Sequence, residues 1–107
     1  MAFKRPRPTP EEEIARTRIP KEGEVLGIVI EMLGASRIRV ECSDGFTRIC
    51  RIPGRMRRRL WVRMGDLVMV KPWKVQSNER ADIEWKYTRT QAQWLKKKGY
   101  LKNIEYG

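Results

Sequence analysis

The sequence predicts a mainly β protein, in which a small barrel is preceded by a flexible tail and followed by one α-helix. From Gly23 onward, five short apolar-rich runs are separated by turn-forming residues. Gly27 interrupts the first run where a long strand could bend around a barrel corner. A chain of 107 residues is sufficient for one such core. Five short antiparallel strands with this bend indicate a Greek-key barrel of the OB-fold type.

The N-terminal segment, residues 1–22, is expected to be a tail. Four prolines interrupt it, and it has too few apolar side chains to offset the entropy lost on ordering. One local signal stands out, because Thr9-Pro10-Glu11-Glu12 combines a capping residue with proline at the first helical position. We therefore expect a short helix there, marginal unless it docks on the rest of the protein.

The barrel domain is predicted over residues 23–88. Its candidate strands are EVLGIVIEML, RIRVEC, FTRICRI, DLVMVKPW and ADIEWKYT. RIRVEC alternates, so that Ile38, Val40 and Cys42 share one face, and ADIEWKYT alternates in the same way.

Residues 89–107 are predicted to form a C-terminal helix and a short tail. Thr88 or Thr90 can cap this helix, Gly99 can end it, and Trp94 and Leu95 can pack it on the barrel.

The turn between the second and third strands leaves the strand register open. A two-residue turn at Asp44-Gly45 pairs Arg48 with Glu41 on the outer face. A three-residue turn with a bulge shifts the register and points Arg48 inward. Because a tight turn here does not place Cys42 opposite Cys50, free thiols and a reducing cytoplasm are expected.

Positive charge is concentrated in one part of the chain. The formal net charge is +11, and the segment 46–74 contains nine Lys or Arg against one Asp, which gives 9 − 1 = +8. Such a concentration favours a polyanionic partner, either nucleic acid or, as the second choice, an anionic membrane surface. No run of about 18 apolar residues is present to anchor the chain in a membrane.

Catalysis is poorly supported by the residue types. The chain has no histidine, no glycine-rich phosphate loop and no cysteine cluster with metal-ligand spacing. Asp44, Asp66 and Asp82 stand at predicted turns or strand starts, where turn chemistry accounts for them. No enzymatic activity, cofactor or bound metal is expected.

The segment GRMRRRLWVRMG, residues 54–65, carries five arginines and no acidic residue. A solvated face would show mixed charges, so RNA binding is the preferred interpretation, since guanidinium groups bind phosphates in a bidentate manner and stack on bases. Trp61 is either a stacking residue or a core residue, and Trp73 lies between two lysines. The predicted RNA-binding residues are Arg37, Arg39, Arg51, Arg55, Arg57, Arg58, Arg59, Trp61, Arg63, Lys71, Trp73 and Lys74.

Several motifs resemble those of a known family. They are Ser-Asp-Gly-Phe, TRICRIPGRMRRRLWVRMGDLVMVKPW and ADIEWKYT, followed by a terminal helix, and the similar region spans residues 22–101. The sequence resembles translation initiation factor 1A, and most closely its archaeal branch. Arg55, Arg57, Arg58 and Arg59 match the basic loop that enters a ribosomal RNA groove in that family, and Trp61 matches a tryptophan there.

The resemblance implies an OB-fold binding factor without turnover. Such a factor occupies the aminoacyl site of the small ribosomal subunit near the decoding centre and promotes recruitment of initiator tRNA and mRNA. It acts alongside initiation factor 1 and the subunit-joining GTPase. Eukaryotic members have a long acidic tail where this chain has LKNIEYG, so the resemblance does not extend to contacts made through that tail.

Two other functions fit parts of the pattern. A general single-strand RNA chaperone of the cold-shock type would use the same barrel but would need aromatic side chains across its strands, and Phe46 is the only phenylalanine in the barrel. An RNA-processing enzyme, or a subunit of one, would need the histidine or clustered carboxylates that the sequence lacks. A cytoplasmic initiation factor that is monomeric when free remains the leading prediction.

Overall fold

A computed structural model describes residues 9–54 and 62–106 of the chain. The elements are α1 Pro10–Ala15, β1 Val25–Gly34, β2 Arg37–Cys42, β3 Thr47–Arg51, β4 Leu67–Pro72, β5 Arg80–Lys86 and α2 Arg89–Lys97. The mainly β fold class, the five strands and the C-terminal helix are thus confirmed.

The strands form a closed barrel in the order β1-β2-β3-β5-β4, in which β4 pairs back onto β1. Four of the neighbouring pairs are antiparallel, but β3 and β5 are parallel. The expectation of an all-antiparallel barrel is wrong in this one pair. The reason is geometric, because strand directions cannot alternate all the way around a closed ring that has an odd number of strands.

Gly27 lies where β1 is shared between two neighbours, pairing with Cys42 of β2 and with Val68 of β4. A Cβ atom at this position would collide with Cγ1 of Val40 and would lie 3.0 Å from the carbonyl oxygen of Glu41. Only glycine lets β2 approach β1 this closely, which agrees with the predicted bend in the first strand.

Two apolar clusters lie on opposite sides of the barrel wall. The inner cluster fills the barrel and includes Val29, Ile38, Val40, Cys42, Cys50, Val68, Val70 and Ile83. The outer cluster lies beneath α2 and includes Leu26, Ile28, Leu67, Met69, Tyr87, Ala92 and Leu95. Because β1 and β4 contribute to both clusters, their sequences are apolar without a clear alternation. Both cysteines are buried free thiols, as predicted.

Helix α2 begins with a capping box. The Thr88 hydroxyl accepts a hydrogen bond from the backbone N–H of Gln91, and the Gln91 side chain accepts one from the backbone N–H of Thr88. Of the two possible caps, Thr88 is therefore the one used. Leu95 is fully buried and Trp94 packs at the edge of the outer cluster, so both contact the barrel side of the helix as predicted.

The short helix predicted at Thr9 is present as α1, and Thr9 is its N-cap. Its last turn is held against α2, because Gln91 Nε2 donates a hydrogen bond to the carbonyl oxygen of Glu13 at 2.9 Å. Farther along, the Tyr87 hydroxyl donates to the carbonyl oxygen of Arg18, and the Arg18 guanidinium lies over the Trp85 ring. These contacts supply the docking that such a short helix requires.

Within residues 9–54 and 62–106, no helix has the length and apolar character needed to cross a membrane.

Candidate nucleic-acid interface

The β2–β3 turn decides which arginines of β3 reach the surface. Cys42 and Phe46 are joined by a backbone hydrogen bond around a three-residue turn, and Gly45 adopts a φ of 93°. In the resulting register Arg48 pairs with Val40, so its side chain points inward and is 2% exposed. Of the two open alternatives, the three-residue turn is therefore correct, and Arg48 does not belong to the outer face.

Each nitrogen of the buried Arg48 guanidinium group donates a hydrogen bond to a protein acceptor. Its guanidinium donates to both carboxylate oxygens of Asp44, at 2.9 and 2.7 Å, and its Nε donates to the carbonyl oxygen of Ser77 at 2.6 Å. Partial burial opposes ionisation of Asp44, but the hydrogen bonds from Arg48 and from the Phe46 amide hold the pKa of Asp44 below its usual value. Arg48 thus ties the β2–β3 turn to the β4–β5 loop and has a structural role.

Three predicted RNA-binding arginines lie on the outer surface of the β2–β3 pair. Arg37 pairs directly with Arg51 across the two strands, and both are exposed. Arg39 is half-exposed and forms an ion pair with Glu31 at 3.3 Å. Two like charges placed opposite each other destabilise a sheet. In this pair, the charge of Arg51 is offset by an ion pair with Asp82 on β5.

Trp73 and Arg51 meet at one carboxylate. The Trp73 indole Nε1 donates a hydrogen bond to Asp82 Oδ1 at 3.0 Å, and Arg51 Nε lies 3.2 Å from the same oxygen. The Arg51 guanidinium carbon lies 5.7 Å from the centre of the Trp73 ring. Trp73 is 36% exposed, as its position between two lysines suggested. The structure therefore joins an aromatic ring and a guanidinium group at the surface.

Two depressions border this group. A cleft of about 180 Å³ is lined by Ala35, Arg37, Ile49, Arg51, Trp73 and Arg80. A second, shallower depression of about 550 Å³ includes Arg51, Lys71, Trp73, Lys74 and Asp82 in its lining. Lys71 and Lys74 are both exposed. Five predicted residues, Arg37, Arg51, Lys71, Trp73 and Lys74, are thus brought together on one surface, which we call the Trp73 face.

The basic segment joins β3 to β4. Arg55, Arg57, Arg58, Arg59 and Trp61 lie outside the described residues, so their predicted roles remain predictions. Of the predicted residues in this segment, Arg63 is described; it is exposed, and its backbone N–H donates to Asp66 Oδ2 at 2.7 Å.

The basic segment is anchored in the barrel near its start and within its second half. Ile52, two residues before it, is 9% exposed, and Val62, inside it, is 7% exposed; both belong to the inner cluster. The backbone N–H of Ile52 donates to the carbonyl oxygen of Ser36, beside the Trp73 face. The segment thus starts next to the surface that carries Arg37 and Arg51.

Sequence reasoning missed Arg80 and Asp82. Arg80 lines the cleft next to Trp73, whose backbone N–H donates to the Arg80 carbonyl oxygen. Asp82 was interpreted as a strand-end residue, but it pairs with Lys71 on β4 and with Arg51 on β3. The sequence does contain a signal for Asp82. If DLVMVKPW and ADIEWKYT are paired as a hairpin, Asp82 can lie opposite Lys71.

The remaining ionisable core groups do not suggest reactivity. Burial raises the pKa of the Cys42 thiol and, more strongly, that of the Cys50 thiol, so both stay protonated. No group of three His, Cys, Asp or Glu side chains in residues 9–54 and 62–106 is arranged to hold a metal ion.

The Trp73 face offers guanidinium and ammonium groups for phosphates and an aromatic ring for a base, which is the chemistry of single-strand RNA recognition.

Comparison with known proteins gives a consistent result. The family described as translation initiation factor 1A / IF-1 matches residues 12–105. Translation initiation factor 1A of Methanothermobacter thermautotrophicus is 52% identical over 91 residues, covering 85% of this chain and 92% of that protein. Translation initiation factor 1A of Methanopyrus kandleri is 56% identical over 91 residues, covering 85% of this chain and 81% of that protein.

A solved structure agrees with the barrel assignment. The solution structure of translation initiation factor 1 from the Wolbachia endosymbiont of Brugia malayi superposes with a TM-score of 0.50 at 26% identity. The aligned part covers 65% of this chain and 83% of that protein.

Proposed function

This chain belongs to the translation initiation factor 1A / IF-1 family, and we propose that it binds the small ribosomal subunit at the aminoacyl site near the decoding centre. Members of this family are initiation factors and not enzymes. In the proposed role, the protein promotes recruitment of initiator tRNA and mRNA. It works in the cytoplasm as a monomer alongside initiation factor 1 and the subunit-joining GTPase, and initiator tRNA is affected indirectly.

The observation that carries the proposal is the clustering on the Trp73 face. Arg37, Arg51, Lys71 and Lys74 surround one partly exposed indole ring, and the chain leaves this surface directly into the basic segment. Ribosomal RNA presents both phosphates and unpaired bases, and this surface has groups for each. A partner that offered only negative charge would bind the lysines and arginines but would make no stacking contact with the Trp73 indole ring.

The two parts of the candidate interface have different tasks in this proposal. The arginines of the basic segment bind phosphates, because guanidinium groups form bidentate charge-assisted hydrogen bonds. Trp73, together with Arg51, gives a stacking surface that is worth roughly 1 to 3 kcal/mol per base. Arg39 and Arg63, which do not line the two depressions, add positive electrostatic potential that attracts RNA.

Gradient sedimentation of a cell lysate tests the function. The protein is expected in the fractions of free small subunits, and excess purified protein should compete with the endogenous factor for them. A cold-shock-type chaperone would instead follow dispersed RNA, and a processing enzyme would follow its substrate. Absence from the small-subunit fractions at low salt would refute the proposal.

A further inference from the structure

Asp82 is an acidic residue in the middle of a surface proposed to bind a polyanion. It faces Lys71 across the β4–β5 pair and Arg51 across the β3–β5 pair, so it lies between the two strands that carry the Trp73 face. Its charge alone would weaken RNA binding, because a carboxylate repels phosphate. Its position thus requires an explanation other than attraction to the ligand.

The Asp82 carboxylate accepts one hydrogen bond from each of two side chains, Trp73 and Arg51, and also forms an ion pair with Arg51. Oδ1 is 3.0 Å from Trp73 Nε1 and 3.2 Å from Arg51 Nε, and Oδ2 is 3.3 Å from the second guanidinium nitrogen of Arg51. Arg51 Nε lies near one carboxylate oxygen and Nη2 near the other, and this side-on, bidentate arrangement restricts the plane of the guanidinium group. The same carboxylate fixes the direction of the indole N–H, and therefore the rotation of the Trp73 ring.

Both side chains are exposed enough to need such support. The Arg51 side chain is 58% exposed, and no described hydrogen bond of that side chain goes to a residue other than Asp82. Without the carboxylate, Arg51 and Trp73 could occupy several rotamers. Ordering each of them on binding would then reduce affinity, whereas an already ordered pair avoids that loss.

We propose that Asp82 is a positioning residue that holds the Arg51 guanidinium and the Trp73 ring in the orientation that receives RNA. This inference rests on the proposed function of the Trp73 face. It assigns Asp82 no contact with RNA, and its effect passes through its two partners.

The test is whether neutralising Asp82 weakens or strengthens binding to purified small ribosomal subunits. Loss of a negative charge by itself would strengthen binding, whereas loss of positioning weakens it. Asp82→Asn keeps the shape of the side chain, but its amide nitrogen cannot accept a hydrogen bond, so either Trp73 Nε1 or Arg51 Nη2 loses its acceptor. We expect about five- to thirtyfold weaker binding, since two side chains must then be ordered on binding. The matched control is Glu31→Gln, because Glu31 also pairs with an arginine of the outer surface, at 3.3 Å. The control should bind as the parent does or up to about twofold more tightly, as loss of one negative charge predicts.

A second set of variants separates positioning from general damage. In a protein carrying Arg51→Ala and Trp73→Ala, the change Asp82→Asn has nothing left to position and should no longer weaken binding. In the free parent protein, the Trp73 indole N–H resonance should exchange slowly with water, and Asp82→Asn should accelerate this exchange while Glu31→Gln leaves it unchanged.

The outcomes distinguish this inference from the proposed function. If the parent fails to bind small subunits, the proposed function fails and the role of Asp82 in RNA binding fails with it. If the parent binds and Asp82→Asn binds equally well or more tightly, the positioning role alone is wrong. Persistence of the full loss in the Arg51→Ala, Trp73→Ala background would also refute it, since Asp82 would then act without its partners.

Discussion

Two arginines three residues apart on the same chain segment have opposite environments. Arg48 is buried against Asp44 and the Ser77 carbonyl, whereas Arg51 is exposed beside Trp73. Their charge and their local sequence are nearly the same. Side chains alternate along a strand, so residues three apart lie on opposite faces, and the strand register decides which of the two arginines faces inward. For a basic protein of this kind, residue-level roles therefore depend on which face of the strand each side chain occupies.

The Asp44–Arg48 pair gives the first prediction, on stability and its dependence on pH. Asp44→Asn leaves the buried guanidinium of Arg48 with one good acceptor fewer. We therefore expect the free energy of unfolding to fall by about 1 to 3 kcal/mol at pH 7. The figure lies below that for a fully buried pair, because the Asp44 side chain is 35% exposed and solvent screens it. Urea denaturation at several pH values measures the effect.

The direction in which this stability difference changes with pH follows from the lowered pKa of Asp44. The contribution of the ionised carboxylate is present above the unfolded pKa of about 3.9 and is lost as pH falls through the lower folded value. The difference between the parent and Asp44→Asn should therefore shrink below about pH 4. Glu31→Gln, which breaks an exposed pair, should change stability by no more than about 0.5 kcal/mol. A pH-independent difference for Asp44→Asn would contradict this account.

At the scale of elements, β1 is the strand whose shape closes the barrel. Gly27→Ala should destabilise the fold by about 1 to 3 kcal/mol, because the added methyl group meets Val40 and the backbone of Glu41 in a packed region. Thermal and urea unfolding measure the change. Gly54→Ala is the control, since a Cβ atom there meets no atom of residues 9–54 and 62–106 within 4 Å, and it should be close to neutral. Equal effects of the two changes would mean that β1 does not need glycine at the bend.

The basic segment between β3 and β4 gives the third prediction. Replacing Arg57, Arg58 and Arg59 together by alanine should leave stability nearly unchanged, at about 0.5 kcal/mol or less for each position. Binding to small subunits should weaken at least about a hundredfold, since each charge-assisted phosphate contact contributes roughly 1.5 to 3 kcal/mol. Three lysines should give a partial loss, because lysine keeps the charge without the planar fork.

A control for that prediction removes the same charge elsewhere. Lys96, Lys97 and Lys98 at the end of α2 can be replaced by glutamine, which also lowers the net charge by three. This variant should bind less tightly than the parent but much more tightly than the arginine variant. If both triple variants lose the same affinity, net charge and not the position of the arginines determines binding.

At the scale of the whole molecule, the charge is unevenly distributed, with +8 of the net +11 in residues 46–74. Binding to small subunits should then release counterions from RNA. If about five phosphates are contacted, log K against log salt should have a slope of roughly −3 to −5. The arginine triple variant should have a flatter slope than the parent, as titrations at four salt concentrations would measure. A slope near zero for the parent would remove the electrostatic basis of binding.

Much of the fold could be predicted because its signals are local. RIRVEC forms β2 over the predicted residues, Arg37–Cys42, since alternation of apolar and polar side chains is a property of one strand. Thr88 and Gly99 bound α2 through capping and a φ of 82°, both set by residues within a few positions. The concentration of arginines, and with it the class of partner, is also readable without a structure.

What the sequence by itself determined is therefore the class of each element, its approximate ends and the sign of the partner's charge, because propensity, capping and charge act over a few neighbouring residues. Only the tertiary structure decided the parallel β3–β5 pair, the inward turn of Arg48 and the meeting of Arg51, Trp73 and Asp82. Arg51 and Asp82 are 31 residues apart in the chain, and their contact exists because barrel closure places β5 beside β3. Such pairings depend on register and closure, which involve all five strands at once, so no local pattern specifies them.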